Sequence, residues 1–346
     1  MARPTIFDVA EVAGVSIKTV SRVVNNEPNV RESTRERVEN AIAVLKYRPD
    51  QSARNLASQS SHLIGLIYDD PAAYENPSSG YILDLQQGAL KGSKSALSEL
   101  LIHPCDFRQK DVGVKLKAFI EETRLSGIIL AAPLSNMPKI VRAIRATGTP
   151  FVRLSPGNDG SKEKSVATND REVCAEMTRY LAGLGHKRIA FICGDPNHKA
   201  VAKRFPGYKD GIRDSGLEFS EQLVAYGNNS FDSGLSAAET LLAQDPRPTA
   251  IFAANDDMAA GVLRAATRLG IDVPGQLSIA GFDDTALAQQ IDPPMTTVRQ
   301  PLVEMARHAA EMLAEPNGNG DGDGENHEVV PATIVIREST GPAPVD

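Results

Sequence analysis

The chain of 346 residues has no tryptophan, only three cysteines, and no apolar run approaching the roughly eighteen residues of a membrane span. Cys105, Cys174 and Cys193 show no metal-ligand spacing. So few cysteines argue against a disulfide framework and lead us to expect a reducing cytoplasm. No apolar stretch follows the N-terminus, so no secretory leader is expected. Phosphate-loop, zinc and nucleophile-elbow motifs are also missing. No cofactor, metal site or catalytic residue is therefore expected. The aspartates of NGNGDGDG (317–324) lack the glutamate that closes a calcium loop, and this stretch reads as a floppy surface loop. His186, within GLGHKR, reads as structural.

Charge of one sign is scarce where it would matter most. The formal net charge is -7, but the first sixty residues hold nine Lys/Arg against seven Asp/Glu. The remainder holds 28 against 37. The body should repel DNA and the first sixty residues should not. That balance is no heavy basic patch, so a single copy would bind weakly, and two copies on a two-fold site would compensate.

Residues 5–25, TIFDVAEVAGVSIKTVSRVVN, predict two short helices broken at a glycine. Thr5 can cap the first, along which Ile6, Val9, Ala10 and Ala13 recur on one side. Gly14 ends it, Val15 is the apolar residue of the turn, and Ser16 caps the second helix. There Val20, Val23 and Val24 form a narrow apolar stripe, leaving Ile17, Lys18, Ser21 and Arg22 on a face with no apolar partner. Two helices joined by a short glycine turn make the helix-turn-helix, whose second helix enters the DNA major groove. A solvated helical cap is the plainer alternative. A third helix is expected from a capping box of Ser33 and Glu36 through Val38, Ala41, Ile42 and Leu45, stopping at Tyr47-Arg48-Pro49. The polar segment 50–61 reads as a linker that could form a short helix on DNA, with Leu56 as its conspicuous apolar residue.

The rest alternates apolar strands and amphipathic helices, with strands expected at 63–68, 100–104, 127–130, 150–154, 188–193, 222–226, 250–253 and 277–281. That order argues for parallel, doubly wound sheets, and nearly 280 residues for two lobes. Ligands bind such sheets at the carboxyl ends of the strands. Tyr68 and Asp69, Asn255 and Asp256, and Asp283 follow strands in this way. For Asp256 and Asp284 a turn or capping role is preferred.

These motifs resemble the lactose repressor (LacI/GalR) family of bacterial transcription regulators. The likeness runs from Ile6-Phe7-Asp8-Val9-Ala10 and Gly14-Val15-Ser16, through Thr19-Val20-Ser21-Arg22-Val23, Arg48-Pro49 and Ala53-Arg54 with Leu56. It resumes at Ile64-Gly65-Leu66, Gly183 to Ile189, Ala254-Asn255-Asp256 and Gly281-Phe282-Asp283-Asp284. The resemblance implies a helix-turn-helix domain at 1–49, a hinge at 50–61 and a periplasmic-binding-protein-like core of two doubly wound lobes at 62–346. Lobe 1 would hold about 62–168 and 296–328, and lobe 2 about 169–295 and 329–340. The chain would cross between them near Asn169, at 294–297 and after about Glu328.

By the same resemblance the DNA-contacting set is Thr5, Ser16, Ile17, Lys18, Thr19, Ser21, Arg22 and Asn25, with Leu56 entering the minor groove. Arg22 can pair bidentately with guanine, and Ile17 can meet a thymine methyl. Asp170, Arg204, Asn255 and Asp283 stand at effector-contacting positions, and Tyr68 is added from the strand-end rule. Asn229 occupies a segment where many members stack an aromatic ring, and Phe231 two residues on reads as core. Tyr74 or Tyr81, from a longer loop, could supply the missing ring. The implied partners are pseudo-palindromic double-stranded operator DNA, a small-molecule effector of the sugar class and a second copy of the chain, with no membrane partner. The expected protein is a repressor released from its operator by a sugar inducer. A corepressor-dependent regulator sensing a nucleobase or a sugar phosphate stays open, as do a solute-binding protein and a sugar-modifying enzyme. No apolar heptad tail is present at the end of the sequence, so tetramers by that route are not expected.

Overall fold

The computed structural model describes residues 4–24, 30–47, 62–70, 80–157, 162–196, 199–314 and 326–345. Asn25, Arg48-Pro49, the hinge at 50–61 with Leu56, Tyr74 and the 317–324 loop lie outside the described residues. The chain divides after His62 into two compact units.

In the first unit, α1 (Ile6–Ala13) starts where the Thr5 amide and hydroxyl both donate to Asp8 Oδ2, at 2.7 and 2.8 Å. Those two bonds hold the Asp8 carboxyl below its usual range. Gly14 closes the helix at φ 61°, and the Val15 amide reaches back to the Ala10 carbonyl at 3.1 Å. The glycine is required because a side chain is strained at that φ. Ser16 Oγ then accepts from the Thr19 amide at 3.2 Å and caps α2 (Ile17–Val24). Val9, Ala10, Ala13, Val20 and Val23 bury together against Val38 and Ala41 of α3 (Glu32–Leu45). The third helix departs from expectation at its start. It begins at Glu32 after an extended Arg31, so Ser33 sits inside the first turn and no Ser33–Glu36 capping box forms. An acidic residue in that turn suits the helix dipole instead.

The second unit contains two six-stranded sheets. The first is built from β1 (Leu63–Asp69), β2 (Glu99–Cys105), β3 (Gly127–Leu130), β4 (Phe151–Leu154), β5 (Ser165–Ala167) and a late strand, His327–Val329. Its spatial order is His327–Val329, β5, β4, β3, β1, β2, all parallel. Helices α4 (Gly80–Ser95), α5 (Val112–Thr123) and α6 (Pro138–Arg145) follow its strands. The second sheet comprises β6 (Ile189–Cys193), β7 (Val224–Tyr226), β8 (Ala250–Ala253), β9 (Ser278–Asp283) and β10 (Thr296–Arg299), with Thr333–Val335 at one edge. Only that edge strand is antiparallel among the described pairings. The helices α7 (Asp170–Gly183), α8 (Lys199–Ala202), α9 (Arg204–Asp214), α10 (Phe231–Leu242), α11 (Asp256–Arg268) and α12 (Ala286–Gln290) belong to this lobe.

Three passages join the lobes. The chain leaves the first sheet after Ala167, returns through Gln300 and Pro301 into α13 (Leu302–Ala314) and β11 (His327–Val329), and crosses again to β12 (Thr333–Val335). The second passage corrects the expected crossing at 294–297. Thr296–Arg299 pairs with Ala280 to Asp283 and is an interior strand of the second sheet, so it belongs with lobe 2. Its polar lettering hid it. The Thr297 hydroxyl donates to Asp256 at 2.6 Å, and that of Thr296 pairs with Thr340 at 2.8 Å, which lets both threonines be buried.

Each sheet buries apolar side chains on both faces, as parallel sheets must. One face of the first sheet packs Leu66, Ile129, Val152 and Leu154 under α4 and α13. The other packs Ile128 and Leu130 under α5 and α6. Helices α4 and α13 approach so closely that a Cβ on Gly88 would stand 2.1 Å from the Val303 carbonyl oxygen.

Candidate functional site

Two surfaces combine exposure with chemistry. On the first unit, Val20 and Val23 turn α2 inward, so Ile17 and Lys18 are exposed while Ser21 and Arg22 are partly exposed. The hydroxyls of Ser16 and Thr19 lie 2.9 Å apart in the cap. Thr5 serves the first helix cap. The capping residues thus fix the helix ends, and the remaining face of α2 carries the apolar Ile17 and the cationic Lys18 and Arg22.

The second surface is a cleft of about 270 Å³ where the two lobes of the core meet. Asp69, Asp70, Tyr81, Ile82, Ala132 and Pro133 line it from the first lobe; Val201, Arg204, Asn229, Asn255, Asp257, Asp283 and Thr285 line it from the second. Most of these residues follow the carboxyl ends of strands, where successive loops converge. Asp69 ends β1, Asn255 follows β8 and Asp283 ends β9.

Arg204 organises the floor. Its Nε lies 3.4 Å from Asp170 Oδ2 and its Nη2 3.6 Å from Asp283 Oδ1, while Nη1 donates to the Ala254 carbonyl. The guanidinium also lies over the Phe282 ring, 3.6 Å from its centroid. All three charged groups are nine-tenths buried or more. Burial pushes the Asp283 carboxyl well above the usual range, with Arg204 and a hydrogen bond from Gln300 opposing. Burial also raises Asp69, against the Phe107 amide and Arg108, and Asp257.

The loop after β9 is conformationally strained. Asp283 and Asp284, neither a glycine, have φ of 119° and 59°. Arg299 and Arg337 hold the Asp284 carboxylate at 2.6 and 2.5 Å, and Gln300 holds that of Asp283 at 2.5 Å. Such strain persists where the surroundings over-determine it, and here it aims Asp283 at the cleft.

Arg204, Asn229, Asn255 and Asp283, expected from sequence, all line the cleft. Asn255 holds two structural bonds as well: its Oδ1 caps α11 through the Met258 amide at 3.0 Å, and its Nδ2 donates to the Asn229 carbonyl at 2.9 Å. Two expected residues are placed differently. Tyr68 packs into the core of the first lobe, 2% exposed, with its hydroxyl accepting from Gln86. Strand alternation turns it to the helix-covered face and leaves Asp69 and Asp70 at the cleft. Asp170 lies behind Arg204, where it receives the Thr168 hydroxyl, and is not among the lining residues.

Phe231 is neither core nor cleft; it opens α10 and is 40% exposed. The ring in the cleft is Tyr81, from the first turn of α4. Asp256 is structural, accepting from Thr297 and from both the amide and the hydroxyl of Thr285. So is Asp284. His186 is buried among Thr249, Ser278 and the Gly341 carbonyl, and burial lowers its pKa. Sequence reasoning did not single out Asp70, Asp257 or Thr285, although Asp70 follows a strand end and Asp257 adjoins Asn255.

Comparison with known proteins covers both units. Residues 5–50 match the model of bacterial regulatory proteins, lacI family, and 178–340 that of a periplasmic binding protein-like domain. Catabolite control protein A of Priestia megaterium is 34% identical over 315 residues, 90% of this chain and 92% of that protein. The HTH-type transcriptional regulator GalR of Escherichia coli (strain K12) is 33% identical over 321 residues, 89% of this chain and 88% of that protein. A lac repressor dimer bound to operator and an anti-inducer shares the fold with a TM-score of 0.80 and 26% identity, covering 98% of this chain and 100% of that one. A complex of the regulator CelR with cellobiose matches at a TM-score of 0.73 and 28% identity, covering 97% and 100%. No helix among the described residues is long and apolar enough to cross a membrane. Motifs, architecture and relatives agree that this chain belongs to the LacI family of bacterial regulatory proteins, a family of transcription regulators and not of enzymes.

Proposed function

We propose that the protein is a ligand-responsive, sequence-specific DNA-binding repressor that acts as a homodimer on a two-fold operator and is released by a small-molecule effector of the sugar class. One observation carries this reading: a single chain holds both a helix-turn-helix with an unburied recognition face and a polar cleft between two lobes. Ile17, Lys18, Ser21 and Arg22 read the major groove. Arg204, Asn229, Asn255 and Asp283 grip the effector, with Tyr81 as the aromatic wall. An amide, a guanidinium and carboxylates suit a polyhydroxylated ligand because each can serve paired hydroxyls. An effector that binds one arrangement of the lobes more tightly than the other shifts DNA affinity accordingly. The cellobiose bound to the regulator CelR in its solved complex supports a sugar effector.

The test is an anisotropy titration of the full chain against labelled duplexes selected from random sequence, repeated with a panel of sugars. We expect a two-fold consensus site and at least one sugar that weakens binding. Equal affinity for all duplexes would refute the DNA reading, and a sugar that strengthens binding would make the effector a corepressor.

A further inference from the structure

At one rim of the cleft the lobes approach where the first lobe has no side chain. Gly80 opens α4 and immediately precedes Tyr81, a lining residue; Thr285 lines the cleft from the second lobe, two residues beyond Asp283. A Cβ placed on Gly80 would stand 3.0 Å from the Thr285 Cβ and 3.2 Å from its Cγ2. That leaves no room for a side chain, so the glycine is what lets the lobes come together here.

Both sides of this approach are anchored. The Thr285 amide and hydroxyl donate to Asp256 Oδ2 at 2.8 and 3.2 Å, and Asp256 Oδ1 accepts from Thr297 of β10, so buried Thr285 is fixed to the second sheet. Gly80 is tied to the first lobe through α4, whose Gly88 and Gly92 press so closely on α13 that a Cβ would stand 2.1 and 2.5 Å from the Val303 and Arg307 carbonyl oxygens. Packed elements of this kind move as units, so the separation of Gly80 from Thr285 follows the movement of one lobe against the other. Elsewhere the lobes meet through long stems: Lys203 Nζ donates to the Pro156 carbonyl at 3.2 Å, and Lys199 lies against Gly157. Such stems can follow a moving partner. The plain alternative for Gly80 is an ordinary helix start, but glycine is a poor helix former and that role gives no reason for the close approach to the other lobe.

Resting on the reading of this cleft as the effector site, we propose that the Gly80–Thr285 contact is the stop that sets how far the lobes close over the effector, and that its state sets operator affinity. Thr285 follows Asp283 by two residues and Gly80 adjoins Tyr81, so an effector held by the carboxylate on one lobe and the ring on the other draws the two contact residues together. A ligand that favours the closed contact shifts the lobes by its differential affinity alone. A side chain at residue 80 holds the lobes apart, and a covalent link between residues 80 and 285 holds them together.

The experiment locks the contact without needing the effector. In the double variant Gly80→Cys/Thr285→Cys the two Cβ atoms come within reach of a disulfide, whose Cβ–Cβ separation is about 3.5–4.5 Å. Oxidised glutathione takes two electrons and two protons from the thiol pair and leaves as two reduced glutathiones; dithiothreitol reverses the step. Operator affinity of the full chain is measured by anisotropy before oxidation, after it and after reduction. Each single variant is treated alike to control for Cys105, Cys174 and Cys193, peptide mapping identifies the 80–285 link, and thermal unfolding establishes that the variants fold. We expect the link to form and to lower operator affinity by about tenfold or more, reversibly, with both single variants insensitive to the oxidant. Gly80→Val, which cannot seat its side chain against Thr285, should shift affinity in the opposite direction. Failure of the 80–285 link to form overturns the contact. A link that leaves operator affinity unchanged, or a Gly80→Val shift in the same direction as the link, overturns its control of DNA binding. A link that raises operator affinity upholds the contact and makes the closed arrangement the DNA-binding one, as for a corepressor. The regulator reading fails on a different result, the absence of any duplex preference in the parent chain.

Discussion

The guanidinium of Arg204 and the carboxylate of Asp283 lie 3.6 Å apart, both at least nine-tenths buried, one from the start of α9 and the other from the end of β9. This pair ties the cleft floor to the second sheet. It also makes the cleft sensitive to any change that strips one member of its partner.

Removing the cation should be costly. Arg204→Met strips the buried Asp170 carboxylate of its partner, and breaking a buried pair in this way typically costs about 3–5 kcal/mol. Urea unfolding at pH 8 should show a loss of that order. A variant as stable as the parent at pH 8 would mean that the pair contributes nothing net.

Asp283 also sets a pH dependence. Burial raises its folded pKa from 3.8 to about 8, so the native state binds more protons than the unfolded chain between those values. Stability from this group is therefore greatest at the acid end of that window and falls as pH rises through it. Asp283→Asn should flatten that part of the profile. Thermal melts of parent and variant from pH 4 to pH 8 provide the check, and parallel curves would contradict the assignment.

Reading of DNA should separate from recognition of its backbone. Arg22→Ala is expected to lose about 1–3 kcal/mol of discrimination between operator and mismatched duplex. Leu56→Ala should weaken operator binding through the loss of a minor-groove wedge. Gel-shift titrations of both variants test this, and unchanged operator affinity in both would sink it.

The seam between α4 and α13 tolerates no added methyl. A Cβ on Gly88 would lie 2.1 Å from the Val303 carbonyl oxygen and 2.9 Å from the Ala306 Cβ. Gly88→Ala should cost about 1–3 kcal/mol or more by overpacking, despite alanine's better helix propensity. Chemical denaturation measures it; a stabilised variant would show that the helices can part freely.

Much of this molecule is legible along the chain because it is written in local rules. The glycine turn at Gly14, the Ser16 cap and the valine stripe of α2 depend on neighbours within a few residues, and the structure places them as read. Strands such as Gly127–Leu130 and Ala250–Ala253 are short apolar runs bounded by turn residues, and they too were visible. Thr296–Arg299 was not, because its threonines are buried by partners more than forty residues away in Arg337, Ser339 and Thr340, and by Asp256. Likewise the strand-end rule pointed to Asn255 and Asp283, but could not tell that the Tyr68 ring turns into the core while Asp69 and Asp70 face the cleft.

What the sequence by itself determined is the inventory: two kinds of domain, the helix face free to meet DNA, and polar residues at strand ends. Only the tertiary structure decided how those polar residues divide their labour. Asp170 stands behind Arg204, Asp256 and Asp284 hold the fold, and Asp257 and Asp283 line the cleft, although as isolated aspartates they look alike. The physical reason is that burial and partnership belong to the packed neighbourhood, and the neighbours of a carboxylate arrive from distant strands and helices.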